Sequence, residues 1–200
     1  MKQKIILTDA DGVLVDWNNG FRRFMESKGH PQLPDTDNDY SMAVRHGITI
    51  PQAQAYIKEY NEGPMIAELD AFADAIKGVK ELASLGFRFT VVTSISSHPD
   101  AKVYRTQNLK ALFGDVFDEI HCIEMGASKA HILLSNWAGT GYFWIEDHMR
   151  QAEAGWEAGL KTVLINHPYN AHYKTDLFPR VSYETPWAEI VQMVKKEYNL

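Results

Sequence analysis

The segment Thr8-Asp9-Ala10-Asp11-Gly12-Val13-Leu14 follows directly on the apolar run Ile5 to Leu7. A short apolar run that opens into acidic and glycine residues reads as a buried strand ending in a loop. In an open α/β sheet, ligands bind in the crevice beyond the carboxyl ends of the strands, so this loop delivers Asp9 and Asp11 to the expected place. Two carboxylates so close repel each other unless a divalent cation neutralises them, and an all-oxygen donor set suits Mg2+. The competing reading is a polar turn in which Asp11 and Gly12 are only turn formers.

Apolar runs of strand length recur at Phe87 to Thr93, Glu119 to Ile123, Tyr142 to Ile145 and Thr162 to Ile165, with amphipathic segments between them. This alternation predicts an α/β fold with a mostly parallel sheet. Helices are expected at about 72–85, 100–113, 128–135, 149–158 and 186–198. Gly86 and Gly159 stand where C-terminal caps belong, and Thr185 with Pro186 makes a helix start. The first two strands are separated by far more chain than one crossover needs. Residues 16–70 are therefore expected to form a small inserted helical cap on a core of residues 1–15 and 71–200. Within the insertion, Trp17, Phe21, Phe24 and Met25 have helical spacing, and a second helix opens near Pro51 and closes before Gly63. The connector between them carries Asp35, Asp37 and Asp39. These resemble the opening of a calcium loop, but Tyr40 stands where glycine is required and His46 where a bidentate Glu belongs, so a solvated loop is expected.

Three further strand ends carry polar residues. Thr93 and Ser94 close the second apolar run, where a hydroxyl and free backbone N–H groups can bind phosphate oxygens; such residues are also ordinary turn formers. Lys129 opens a helix after the third run, although a cation there runs slightly against the helix dipole. Glu146 and Asp147 end the fourth run, where a carboxylate pair would complete an oxygen ligand set or merely cap the next helix.

The D-x-D-G-V-L string Asp9 to Leu14 resembles motif one of the haloacid dehalogenase superfamily of phosphatases, with Ala10 smaller than the residue usual there. Thr93, Lys129 and the pair Glu146-Asp147 follow in the order of that superfamily's remaining motifs. The resemblance implies a Rossmann-like core, Asp9 as nucleophile, Asp11 as general acid and base, and Thr93 with Ser94 and Lys129 around the phosphate. It further implies Mg2+ held by Asp9, the backbone carbonyl of Asp11 and Asp147, with Glu146 supporting from behind. Within the superfamily the chain most resembles the 5′(3′)-deoxyribonucleotidases, on Asp9 to Trp17, on Glu62-Gly63-Pro64 at the end of the cap, and on Trp187 in the last helix.

Composition narrows the alternatives. The 200 residues carry a formal charge of −6, and with 45% hydrophobic residues a core is affordable while disorder is not expected. No run of Lys or Arg offers a footprint for a polynucleotide, but a small phosphorylated substrate is allowed. The single cysteine, Cys122, cannot form an internal disulfide and reads as buried filler in a reducing cytoplasm. The apolar run after Met1-Lys2-Gln3-Lys4 is too short for a signal peptide, and no later run approaches a membrane span. The histidines show no zinc spacing, and neither a serine-hydrolase elbow nor a triphosphate-binding glycine loop is present.

The expected function is thus a Mg2+-dependent phosphomonoesterase acting through an aspartyl-phosphate, with a deoxyribonucleoside monophosphate as substrate and Trp17 stacking on its base. A phosphatase for sugar phosphates or other small metabolites is the alternative, because caps set substrate choice. A phosphoacceptor module is disfavoured because Lys129 precedes the second acidic pair, and a non-catalytic binder because Asp9 and Asp11 are both retained.

Overall fold

The computed structural model describes residues 4–200. Met1, Lys2 and Gln3, which open both the expected core segment and the stretch searched for a signal peptide, lie outside the described residues. Six strands form one sheet: β1 (Ile5–Thr8), β2 (Arg88–Thr93), β3 (Phe117–Cys122), β4 (Phe143–Glu146), β5 (Lys161–Ile165) and β6 (Arg180–Val181). Their order is β3-β2-β1-β4-β5-β6, and every pairing is parallel. Parallel strands covered by helices on both faces read as unbroken apolar runs, which is why β1, β2, β4 and β5 were legible. The two-residue β6 carries no such signal; backbone bonds from Leu164 to Pro179 and from Asn166 to Val181 set it in place.

The core helices are α4 (Ala73–Ser84), α5 (Pro99–Phe113), α6 (Ala130–Trp137), α7 (Met149–Glu157) and α8 (Pro186–Tyr198), close to the expected spans. Both α4 and α7 stop just before a glycine in the left-handed region, Gly86 and Gly159. Trp187 of α8 is wholly buried and donates its indole N–H to the Val13 carbonyl (2.9 Å), so the last helix holds the loop after β1.

Between β1 and α4 the chain forms α1 (Trp17–Ser27), α2 (Met42–His46), α3 (Ile50–Asn61) and a 3-10 turn at Pro64–Glu68. Asp16 caps α1 through the Asn19 N–H, and Thr49 with Gln52 makes a capping box on α3. Entry and exit run side by side: Asp16 donates to the Asp70 carbonyl and Phe72 to that of Leu14. Phe21, Phe24, Met25 and Tyr60 bury one another, with ring centroids 5.2 Å apart for Phe24 and Tyr60. The short α2 was not expected. Its Arg45 gathers the connector by donating to the carbonyls of Asp39 (2.6 Å) and Asp37 (2.8 Å), while the Asp35 and Asp37 side chains stay at the surface. No helix among the described residues is long and apolar enough to cross a membrane.

Candidate active site

The sheet order reverses at β1 and β4, the topology that leaves a crevice beyond the strand ends. Asp9 leaves β1 with its N–H on the Ile145 carbonyl of β4 (2.9 Å), and its Oδ1 accepts the Ala10 N–H (2.7 Å). The chain then turns tightly, with Leu14 and Val15 both donating to the Ala10 carbonyl. Gly12 takes φ 73°, and a Cβ there would run into the Asp147 carboxylate, so only glycine lets the two loops approach.

Asp9, Glu146 and Asp147 are all buried and offer carboxylate oxygens within 4.8 Å of one another. Lys129, 1% exposed, reaches across from the start of α6 and stands 2.8 Å from both Asp9 Oδ2 and Glu146 Oε2. Burial works against its charge, but the two carboxylates outweigh that and raise its pKa. Burial, then Glu146, pushes Asp9 up to about 7 against the opposing pull of Lys129. Glu146 is likewise pushed up to about 7 by burial, and Asp147 to about 6 by burial and then Asp9. When all three buried carboxylates are ionised they face one ammonium, which leaves two negative charges uncompensated. That deficit, in an all-oxygen donor set, fits one divalent cation of the Mg2+ type.

Glu146 is also tied down from its other oxygen, which accepts the N–H groups of Asp147 (3.1 Å) and His148 (3.0 Å). Asp147 does not cap α7; its Oδ2 instead takes the hydroxyl of Tyr169. Tyr169 belongs to a turn after β5 that sequence reasoning missed. In that turn Asn170 donates to the carbonyls of Asp147 (2.7 Å) and Ile165 (2.9 Å). His167 stacks on Tyr169 (4.9 Å, 7°) and donates from Nε2 to the Gly12 carbonyl (2.7 Å). The available signal was its place at a strand's carboxyl end, the rule that identified the other loops.

Asp11 does not join the Asp9, Glu146 and Asp147 cluster. Its Oδ1 accepts from Nη2 of Arg105 at 2.5 Å, and its side chain keeps 26% of its surface open. Burial raises its pKa, with the Arg105 guanidinium opposing. Arg105 was also missed, although Ala101, Arg105, Asn108 and Leu109 share the buried stripe of α5 at helical spacing.

Thr93 is buried at the end of β2, and the Ser94 hydroxyl donates to the Ala127 carbonyl (3.1 Å). Both border a cavity of about 700 Å3 that also touches Asp9, Asp11, Lys129 and Asp147. Its other wall comes from α1 to α3. Trp17 lines it with one face stacked on Phe21 (4.7 Å) and its N–H held by Asn61 (2.9 Å). Tyr40, 63% exposed, reaches the core loops and meets the rings of His148 (5.5 Å) and Tyr169 (5.8 Å). Asn61 and Glu62 close the wall onto the loop after β2, through the Ile95 carbonyl (2.9 Å) and the Ser96 hydroxyl (2.8 Å).

Solved structures share this fold over nearly the whole chain. A haloacid dehalogenase-like hydrolase of Streptococcus pneumoniae superposes with a TM-score of 0.65 at 19% identity, covering 96% of this chain and 99% of that one. The fold is that of the haloacid dehalogenase-like hydrolases. A hydrolase of that type from Deinococcus radiodurans, solved with bound phosphate and sodium, gives 0.66 at 16% identity over 100% and 98% of the two chains. A candidate β-phosphoglucomutase of Thermotoga maritima gives 0.59 at 18% over 97% and 99%. In sequence, the chain is 26% identical over 144 residues to an uncharacterized 32.4 kDa protein of Enterobacteria phage T4, covering 64% of this chain. The chain spans about half the length of that relative, 47%. No family model matches the sequence.

Proposed function

We propose that the protein is a Mg2+-dependent phosphomonoesterase in which residues 16–70 cap a catalytic core of 1–15 and 71–200. One observation carries the reading: Asp9, oriented by Lys129 and the Ala10 N–H, stands beside Glu146 and Asp147 at the floor of the cavity. Asp9 attacks phosphorus in line with the ester oxygen and forms an aspartyl-phosphate, which water then hydrolyses. Asp11 protonates the leaving alkoxide and afterwards takes a proton from that water. Thr93, the Ser94 N–H and Lys129 receive the phosphoryl oxygens, and Lys129 also offsets charge that would otherwise repel the nucleophile. Asp9, the Asp11 carbonyl and Asp147 would hold the cation, and Glu146 keeps Lys129 and the Asp147 backbone in place. When bound, Mg2+ screens the negative nucleophile from the negative phosphate.

For the substrate we propose a deoxyribonucleoside monophosphate. The cavity has room for a nucleoside, and Trp17 borders it with its ring orientation already set by Phe21 and Asn61. A sugar phosphate is the second reading, favoured by the likeness to the candidate β-phosphoglucomutase. Phosphate release from 5′ and 3′ deoxy- and ribonucleoside monophosphates, sugar phosphates and phosphoglycolate separates them. Nucleotides should be turned over fastest; far faster turnover of sugar phosphates would end the nucleotidase reading and leave the phosphatase mechanism standing. Asp9→Asn should fold normally and lose nearly all turnover on every substrate, and substantial residual activity would remove the mechanism itself.

A further inference from the structure

Arg105 is wholly buried, yet among the described residues only one of its three nitrogens has a hydrogen-bond partner: Nη2 donates to Asp11, while Nε and Nη1 meet none. A buried guanidinium left so incompletely bonded is a poor device for stability, since well-packed apolar residues in place of both members of a buried ion pair often serve a core as well or better. Two polar atoms nearby are also incomplete: the Tyr60 hydroxyl, close enough to feel the Arg105 charge, and Asn108 Oδ1 are buried with no partner among the described residues. Asn108, one turn further along α5, donates to the carbonyls of Ala67 (3.3 Å) and Leu69 (2.8 Å), where the chain returns from the helical insertion. One stripe of α5 thus holds the return segment with Asn108 and the Asp11 carboxylate with Arg105.

We infer that Arg105 is a positioning residue that aims Asp11 at the leaving-group oxygen, its single hydrogen bond to Oδ1 fixing the rotamer from which the proton is delivered. The inference rests on the proposed role of Asp11 as general acid. In the step concerned, an Asp9 oxygen bonds to phosphorus, the ester P–O bond breaks, and the departing alkoxide takes the proton of the Asp11 carboxyl. A leaving group that is stable as an anion does not need that proton, so a misaimed Asp11 slows alkyl esters selectively.

The test compares single-turnover release of benzyl alcohol from benzyl phosphate with that of nitrophenolate from p-nitrophenyl phosphate, using Asp11→Asn as reference. Arg105→Met leaves Asp11 without its counter-charge and should lower the melting temperature, and at a temperature where it stays folded it should lose at least about 10-fold more rate on benzyl phosphate than on p-nitrophenyl phosphate, following Asp11→Asn in direction. Arg105→Lys, which keeps a donor on a different stem, should recover part of that selective loss. Equal losses on both esters, or none on either, would reduce Arg105 to a packing residue and overturn the inference. If Asp11→Asn itself shows no selectivity, the acid assignment fails and the inference falls with it; selectivity in Asp11→Asn without selectivity in Arg105→Met refutes the inference alone. Should Arg105→Met not fold, Arg105→Lys decides: a loss confined to benzyl phosphate supports the inference, and a uniform loss or no loss overturns it.

Discussion

Lys129 is the residue on which the electrostatics of the site turn. A lysine at the start of a helix is ordinarily a solvated charge; here it is buried between Asp9 and Glu146, each 2.8 Å away. Lys129→Met would leave both carboxylates buried without a counter-charge, and breaking such a pair costs about 3 to 5 kcal/mol. Because Asp9 and Glu146 already titrate near 7 with the lysine present, they take up protons as pH falls and the penalty shrinks. Urea unfolding of the metal-free variant and wild type should therefore differ most at pH 8 and much less at pH 5.5; a pH-independent difference would contradict the charge argument. Trp17 makes a separate prediction at this scale. Stacking of a base on an aromatic ring contributes roughly 1 to 3 kcal/mol, so Trp17→Ala should lower kcat/KM for a nucleotide by about 5-fold to 150-fold with metal dependence unchanged. An equal loss on p-nitrophenyl phosphate would show instead that removing Trp17 from Phe21 and Asn61 disturbs the packing of α1 on α3.

At the scale of elements, four strand ends and one turn converge on the crevice. The turn Pro168–Asn170 acts as a clamp, with His167 on the Gly12 carbonyl, Tyr169 on Asp147, and Asn170 on the carbonyls around it. His167 must be neutral to do this, because Nε2–H donates to Gly12 while the other side of the ring accepts the Asn170 N–H. Burial favours the neutral form and lowers its pKa below the ordinary 6.5, with the Gly12 carbonyl opposing. A depressed pKa means that the unfolded chain binds more protons, so this share of stability is present above pH 6.5 and lost as pH falls through the folded value. His167→Gln should cost about 1 to 2 kcal/mol at pH 7.5 and flatten the decline of stability between pH 7 and 5, measured by denaturant titration. An unchanged acid limb would assign that decline to other groups. The strand-end loops were legible because each joins a readable apolar run to a polar residue of recognisable chemistry. This turn was not, since its histidine, tyrosine and asparagine acquire their roles only from loops far away in the chain.

For the molecule as a whole, the uncompensated charge of the acidic cluster predicts strong linkage between folding and metal. A cation bound only by the folded state stabilises it by about 2.7 kcal/mol at 100 times its Kd, or roughly 5 to 11 °C in Tm for a chain of this size. Thermal melts with Mg2+ and after chelation should show that shift, Asp147→Asn should reduce it, and chelation should abolish phosphate release. Identical melts with and without Mg2+ would remove the metal from the account. Sequence alone determined the alternation of strands and helices, the helical stretch between β1 and α4, and the placement of Asp9, Asp11, Thr93, Lys129, Glu146 and Asp147 toward one end of the sheet, because hydrophobic periodicity and strand-end placement are local properties. Tertiary structure alone decided that Lys129 bridges Asp9 and Glu146, that Asp11 turns to Arg105, that Trp17 spends one face on Phe21, and that the turn after β5 holds Asp147. Each of these depends on which distant segments share a buried, low-dielectric space, and burial there makes charge balance and hydrogen-bond partners obligatory in a way that neighbours along the chain do not reveal.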